Sequence, residues 1–186
     1  REHILSHQRP LEEFMKHYDV LPFSFSNIAD SEEKIKQKVL KDMGEEFEGL
    51  FEVFKGKTEL GLKAVWSDMP LVFQDIAKNS PELQRLKKIP KLSYQQQIAA
   101  GELVKKMLND KKEKTKEKIL KSFEPLTDDF KELQLMGDDM ILNAAFLVEK
   151  TKWSAFIREI NVLKRQYEGM GYLFGCSGPW PPYNFC

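Results

Sequence analysis

The sequence predicts an α+β protein in which helices pack on small sheets, and three observations carry that reading. Glu59-Leu-Gly-Leu-Lys-Ala-Val-Trp66 alternates with period two and puts Leu60, Leu62, Ala64 and Trp66 on one face, as a half-buried strand requires. Met140 to Val148 is an almost unbroken apolar run, the pattern of a strand covered on both faces. Helical stripes with period near 3.6 lie before, between and after these two runs. A proline-bearing connection at Lys88–Ser93 divides the pattern into two units. They are an N-terminal α+β unit over residues 1–90 and a C-terminal one over 91–186, joined through a long helix.

Bulk properties narrow the class. Of 186 residues, 41% are hydrophobic and 31% charged, an ordinary balance for a globular chain that can bury a core. Lysine plus arginine equals aspartate plus glutamate at 29 each, so no overall field draws the chain to nucleic acid or to an anionic membrane. No apolar run approaches the roughly 18 residues of a membrane-spanning helix, and no signal-peptide pattern is present. Two cysteines ten positions apart, Cys176 and Cys186, do not make a disulfide framework; they read as free thiols of a cytoplasmic protein.

Taken in order, residues 1–18 carry Leu11, Phe14, Met15 and Tyr18 at helical spacing. Val20 to Ser26 reads as a strand with Leu21, Phe23 and Phe25 on one face, Pro22 placing it at an edge. Asp30-Ser-Glu-Glu33 starts a helix, with acids opposing the positive end of the helix dipole. Its expected buried stripe is Ile35, Val39, Met43, Phe47, Leu50, Phe51 and Phe54, and Gly56 ends it. After the strand at 59–66, a short helix runs through Met69, Val72, Phe73 and Ile76, capped by Ser67 or Asp68 with Pro70 in its first turn. Ser80-Pro81-Glu82 caps a further helical segment that Pro90 closes.

The longest helical pattern begins at Ser93 and runs to Ser122, with Ala99, Leu103 and Met107 in one stripe that Ile119 and Phe123 resume. Its middle, Asp110 to Lys118, mixes charges at i,i+3 and i,i+4, which predicts a solvated stretch projecting from the body rather than a nucleic-acid patch. Pro125 interrupts the pattern, and Phe130, Leu133 and Leu135 continue it. Beyond the apolar strand, Trp153, Phe156, Ile157, Ile160, Leu163 and Tyr167 define a clean amphipathic helix that Gly169 and Gly171 stop. Tyr172 to Cys176 makes a last strand.

The chain ends in Cys176-Ser-Gly-Pro-Trp-Pro-Pro-Tyr-Asn-Phe-Cys186. Three prolines exclude helix and central strand and stiffen the segment. Trp180, Tyr183 and Phe185 give it far more aromatic area than a disordered tail carries. It is expected to be a strap lying back over the body, and these three aromatics are the candidate partner-binding residues.

Catalytic constellations are absent from the pattern. His3 and His7 stand four apart as on a metal-binding helix, but the glutamate of the zincin arrangement and a third ligand are missing. No glycine-rich phosphate loop appears, and neither cysteine has a histidine near it in sequence. The acid pairs Glu32/Glu33, Glu45/Glu46 and Asp128/Asp129 sit at helix starts or on polar faces. The residues therefore point to a binding protein rather than an enzyme, with no cofactor or metal.

Gly178-Pro-Trp-Pro-Pro-Tyr-Asn-Phe185 resembles the C-terminal signature of the GvpL/GvpF gas vesicle proteins. His17-Tyr-Asp-Val-Leu-Pro-Phe-Ser-Phe25 and Met140-Ile-Leu-Asn-Ala-Ala-Phe-Leu-Val148 are similar to further stretches of that family. The resemblance implies two α+β domains of ferredoxin-like character, and a strand-rich segment upstream of Arg1 that would complete the first sheet. It also implies a role in assembly of the gas vesicle shell, with the small hydrophobic shell protein and other vesicle accessory proteins as partners. Neither nucleic acid nor membrane is an expected partner. Two competing readings are a small-molecule-binding or catalytic ferredoxin-like domain, and a Pro-rich tail that is itself a ligand for an aromatic-grooved domain.

Overall fold

A computed structural model of the chain describes residues 9–23 and 30–186. Its ten elements follow the order α1 (Glu32–Ile35), α2 (Gly44–Phe54), β1 (Lys57–Trp66), α3 (Met69–Lys78), α4 (Pro81–Lys87), α5 (Tyr94–Phe123), β2 (Asp129–Glu132), β3 (Met140–Glu149), α6 (Trp153–Gln166) and β4 (Tyr172–Trp180). A short helical stretch at 9–14 precedes them.

One sheet organises these elements. Its strand order is β2-β3-β1-β4 and every neighbouring pair is antiparallel. From β1 onward the chain reads strand, helices, strand, strand, helix, strand, which is the ferredoxin-like arrangement that the resemblance implies. The connection at 88–93 does not separate two sheets, because β1 on its N-terminal side is hydrogen-bonded to β3 and β4 beyond it.

The two strands read from sequence form the centre. β3 pairs along β1 with Leu60 opposite Phe146, Leu62 opposite Ala144 and Ala64 opposite Leu142. These residues face α5 and α6, where Ile119, Phe123, Phe156, Ile160 and Leu163 complete the core. Phe123, Phe146 and Phe156 form a ring cluster with centroids 4.5–5.4 Å apart, within the range of favourable aromatic pairing. β3 is buried from Met140 to Val148, as its unbroken apolar run predicts. The caps follow the sequence too. Asp68 and Ser80 accept from the amides of Leu71 and Leu83, and Ser93 with Gln96 forms a reciprocal capping box at the start of α5.

Four expectations are corrected. The charged stretch of α5 does not project. Lys111 pairs with Asp75 of α3 at 2.7 Å, Lys116 reaches Glu132 of β2 at 3.0 Å, and Thr115 between them is buried. Asp110, Glu113, Lys114, Glu117 and Lys118 stand in solvent as expected, but the face carrying Lys111, Thr115 and Lys116 is packed against the body. Residues 129–132 form β2 rather than more helix: Pro125 turns the chain through a short 3-10 segment, and the Asp128 amide then bonds to the Leu147 carbonyl to begin pairing with β3.

The stripe from Ile35 to Phe54 is also not a core stripe, since only Phe54 is buried and Ile35, for example, is 45% exposed. The helix widens to π geometry at Lys36–Asp42 and breaks at Met43, which rotates the stripe out of line. Its apolar residues line a surface groove with Leu21, Pro22 and Phe23. Finally, residues 20–23 are irregular rather than extended in a sheet, and the rest of that expected strand lies outside the described residues.

Packing of the charged stretch makes a testable prediction. Amide hydrogen exchange over 111–123 should be as slow as over α6, whereas 94–101, which meets the body less, should exchange faster. Rapid exchange across 111–118 would contradict the packed reading.

Candidate partner-binding site

The strap begins inside the sheet. β4 does not stop at Cys176 but continues to Trp180, pairing Ser177 with Gly61 and Trp180 with Glu59 across a bulge. Pro179 is tolerated because β4 is an edge strand whose outer side makes no ladder. Gly178 has φ of 107°, and a Cβ there would stand 2.8 Å from the Glu59 carbonyl oxygen, so glycine is required on both counts. The Thr58 hydroxyl donates to the Trp180 carbonyl at 3.0 Å. Pro181 and Pro182 are buried, and the amides of Phe185 and Cys186 close a terminal turn on the Pro182 carbonyl.

A carboxylate holds the end of this strap. Asn184 donates to Glu59 twice, from its backbone amide at 2.8 Å and from its side chain at 2.6 Å. Glu59 lies on the face of β1 opposite the helices and is 5% exposed. Burial pushes its pKa above the ordinary carboxylate value, while the two Asn184 bonds and the more distant Lys131 pull the other way. The tail thus crosses the second face of the sheet from β4 over β1 to β2, where the Lys131 ammonium stands 5.4 Å from the Phe185 ring. A packed tail is not a free proline-rich ligand.

Trp180 borders a cleft of about 570 Å³ at one end of the sheet. The N-terminal segment supplies Glu12, Met15 and Lys16, the start of α6 supplies Trp153, and Thr58, Lys150, Gly178 and Pro179 complete it. Asp19 fastens the N-terminal wall, accepting from the Gly56 amide at 3.2 Å and from Lys150 Nζ at 2.8 Å. The Lys150 ammonium accordingly holds the Asp19 carboxyl below its usual range. Two indoles, a thioether and a proline make the floor apolar, with charges only at the rim. Trp153 is 43% exposed, although its spacing in the α6 stripe predicts a core residue.

The structure therefore separates the three expected aromatics. Trp180 lines the cleft, Tyr183 stands partly exposed on the strap, and Phe185 sits under Lys131. Sequence reasoning missed Glu59, which alternation assigns to a solvated face, and Asn184, whose only signal is its place inside the aromatic tail. It also missed Met15 and Trp153 as cleft residues. His3 and His7 lie outside the described residues. Among the described residues no group of three or more histidine, cysteine or acidic side chains is placed to hold a metal ion.

The clamp has a definite pH signature. A carboxyl whose pKa is raised on folding stabilises the protein fully below its unfolded value, and loses that stability as pH rises through the folded one. Glu59→Gln should therefore gain stability over the native chain as pH moves from mildly acidic to neutral, with Asn184 free to turn its amide toward the new side chain. Asn184→Ala removes the side-chain donor and leaves the buried carboxylate with the backbone amide alone, and should cost about 1–3 kcal/mol at neutral pH. Thermal melts across that range check both; a native-minus-Gln difference that does not change with pH would contradict the assignment.

Comparison with known proteins agrees with this fold and with the tail. The family described as "Gas vesicle synthesis protein GvpL/GvpF" matches residues 1–186. Gas vesicle protein F of Nostoc sp. (strain PCC 7120 / SAG 25.82 / UTEX 2576) is 25% identical over 173 residues, 90% of this chain and 70% of that protein. The Dolichospermum flosaquae protein of the same name is 24% identical over 172 residues, with the same coverage of both chains. The crystal structure of GvpF from Anabaena sp. PCC7120 superposes on all of this chain and 77% of its own with a TM-score of 0.88 at 24% identity. The GvpF structure from Microcystis aeruginosa superposes on all of this chain and 78% of its own with a TM-score of 0.75 at 21% identity. With a full-length family match and the same fold, this chain belongs to the GvpL/GvpF family of gas vesicle proteins.

Proposed function

We propose that this protein acts in assembly of the gas vesicle shell, holding the small hydrophobic shell protein until it is incorporated. The observation that carries the reading is the Trp180 cleft opening beside the unpaired edge of β4. A strand-rich, apolar subunit aggregates unless its edges and apolar face are covered. No strand among the described residues pairs with the outer edge of β4, which can take an added strand, with Leu173 59% exposed along it, and the two indoles at its end offer a seat for apolar side chains. Trp180 and Tyr183 are then contacts, and Phe185 anchors the strap that presents them. No helix among the described residues is long and apolar enough to cross a membrane, and the protein works in the cytoplasm and at the vesicle, beside other vesicle accessory proteins.

The small-molecule or catalytic reading is less well supported. A ligand pocket needs convergent polar groups above an apolar floor. Here the Thr58 hydroxyl is already spent on the Trp180 carbonyl, and Lys150 on Asp19. We infer a binding protein without catalytic activity.

Two substitutions separate contact from scaffold. Trp153→Ala removes an indole with half its surface in water, so the melting temperature should hold while capture of purified shell protein falls. Trp180→Ala should lower both, with a stability loss of about 1–3 kcal/mol. Lys114→Ala should change neither. Undiminished capture by both tryptophan variants would place the shell-protein contact elsewhere.

A further inference from the structure

A second apolar surface lies away from the strap. α3, α4 and the first turns of α5 enclose a cleft of about 390 Å³, lined by Phe73 and Ala77 of α3, Leu83 and Leu86 of α4, and Ala100 and Val104 of α5. Lys87 at the end of α4 and Leu92 in the connection to α5 finish its rim. That volume is in the range of specific binding clefts. Phe73, on its wall, is 41% exposed, a large apolar ring left in water.

Charge around this cleft leans to the basic side in a chain whose total charge is zero, with Glu82, beside Leu83 on α4, the one acid at its flank among the described residues. Residues 85–91 carry Arg85, Lys87, Lys88 and Lys91 and no acid. None of the four has an acidic partner among the described residues. By contrast Lys57, Lys111, Lys116, Lys150 and Lys152 all form ion pairs within the chain. On α5, Glu102 is two residues from both Ala100 and Val104 and so points away from the cleft, whereas Lys105 flanks it. The rim is a fixed one, since Ser93 and Gln96 lock the end of the connection to α5 and the Gln97 side chain donates to the Leu92 carbonyl at 3.2 Å.

The cleft is built wholly from helices and a loop, with no strand edge at its mouth. A partner laid there finds no ladder for its backbone and must satisfy its own amides and carbonyls, which a helix does. Its apolar side must match the floor, and its flanks must be acidic to meet cations that no acid among the described residues pairs with. We propose that the α3–α4–α5 cleft is a docking groove for an amphipathic helix of a partner protein bearing carboxylates along the edges of its apolar face. This surface is independent of the Trp180 cleft, so the chain holds two partners, or two parts of one, at once.

The test uses two labelled model peptides of about 18 residues, or five helical turns. Both have the same leucine–alanine face, one flanked by glutamates and the other by lysines, and anisotropy is read against the full chain. The glutamate peptide should bind, at least about tenfold more tightly than the lysine peptide, and should weaken as salt rises. Lys87→Glu with Lys88→Glu and Lys91→Glu should invert that preference, Phe73→Ala should weaken both peptides, and Trp153→Ala should change neither. Because Ala100→Tyr fills the groove but also strains its packing, its binding is compared with that of Phe73→Ala only at matched melting temperature. Equal binding of the two peptides would overturn the proposal, as would binding that survives in both Phe73→Ala and Ala100→Tyr. So would absence of peptide binding together with binding to phosphatidylglycerol vesicles, which would make the surface a membrane contact.

Discussion

Antiparallel pairing of β1 with β3 is the constraint on which the rest of this structure depends. It joins residues 57–65 to 140–149, segments distant in sequence, and it sets which residues face the helices. A slip of one position would turn Leu60, Leu62 and Ala64 away from Phe123 and Phe156 and bring Glu59 into the core. The cost of closing so long a loop is met only when the strands, α5 and α6 come together, because neither strand has a covered inner face alone.

The two faces of that pairing are stabilised in different ways. Toward the helices, aromatic and aliphatic side chains make most of the packing, with Thr115 of α5 a buried polar side chain on the same stripe. On the other face, burial depends on a strap of eleven residues whose far end is tied to β1 by one carboxylate and one asparagine. The first arrangement is strong and unspecific. The second is weaker in area but fixes position, since a buried carboxylate accepts only a correctly placed donor. This places Trp180 at the mouth of a cleft instead of leaving it on a loose tail, and connects the geometry of the sheet to the surface offered to a partner.

Much of this was legible in the residues themselves. Period two at Glu59–Trp66, the apolar run at Met140–Val148 and the α6 stripe name the core, and the caps at Ser80 and Ser93 fix helix starts to the residue. The resemblance seen in the sequence lies in stretches that also organise the fold, among them β3 and the tail. What was not legible concerns partners distant in sequence. Asp110–Lys118 looks solvated until Asp75 and Glu132 are known to face Lys111 and Lys116. Glu59 looks solvated until the tail returns over it. A division at 88–93 is suggested by local composition, but which strands pair is decided by nonlocal hydrogen bonds that composition does not encode. The groove at α3–α5 was hidden for the same reason, since Phe73 is read with the apolar positions of its own helix and nothing local brings Val104 opposite it.

If β1 is the shared centre of one sheet, residues 91–186 hold β2, β3, α6 and β4 but lack the strand that lies between β3 and β4. Denaturant unfolding of that segment produced alone tests the point most directly. It should show no cooperative transition, with apolar β3 exposed on one side, and should gain one when a segment carrying residues 1–90 is added. A cooperative transition of 91–186 by itself, unchanged on adding 1–90, would contradict the account and restore two independent domains.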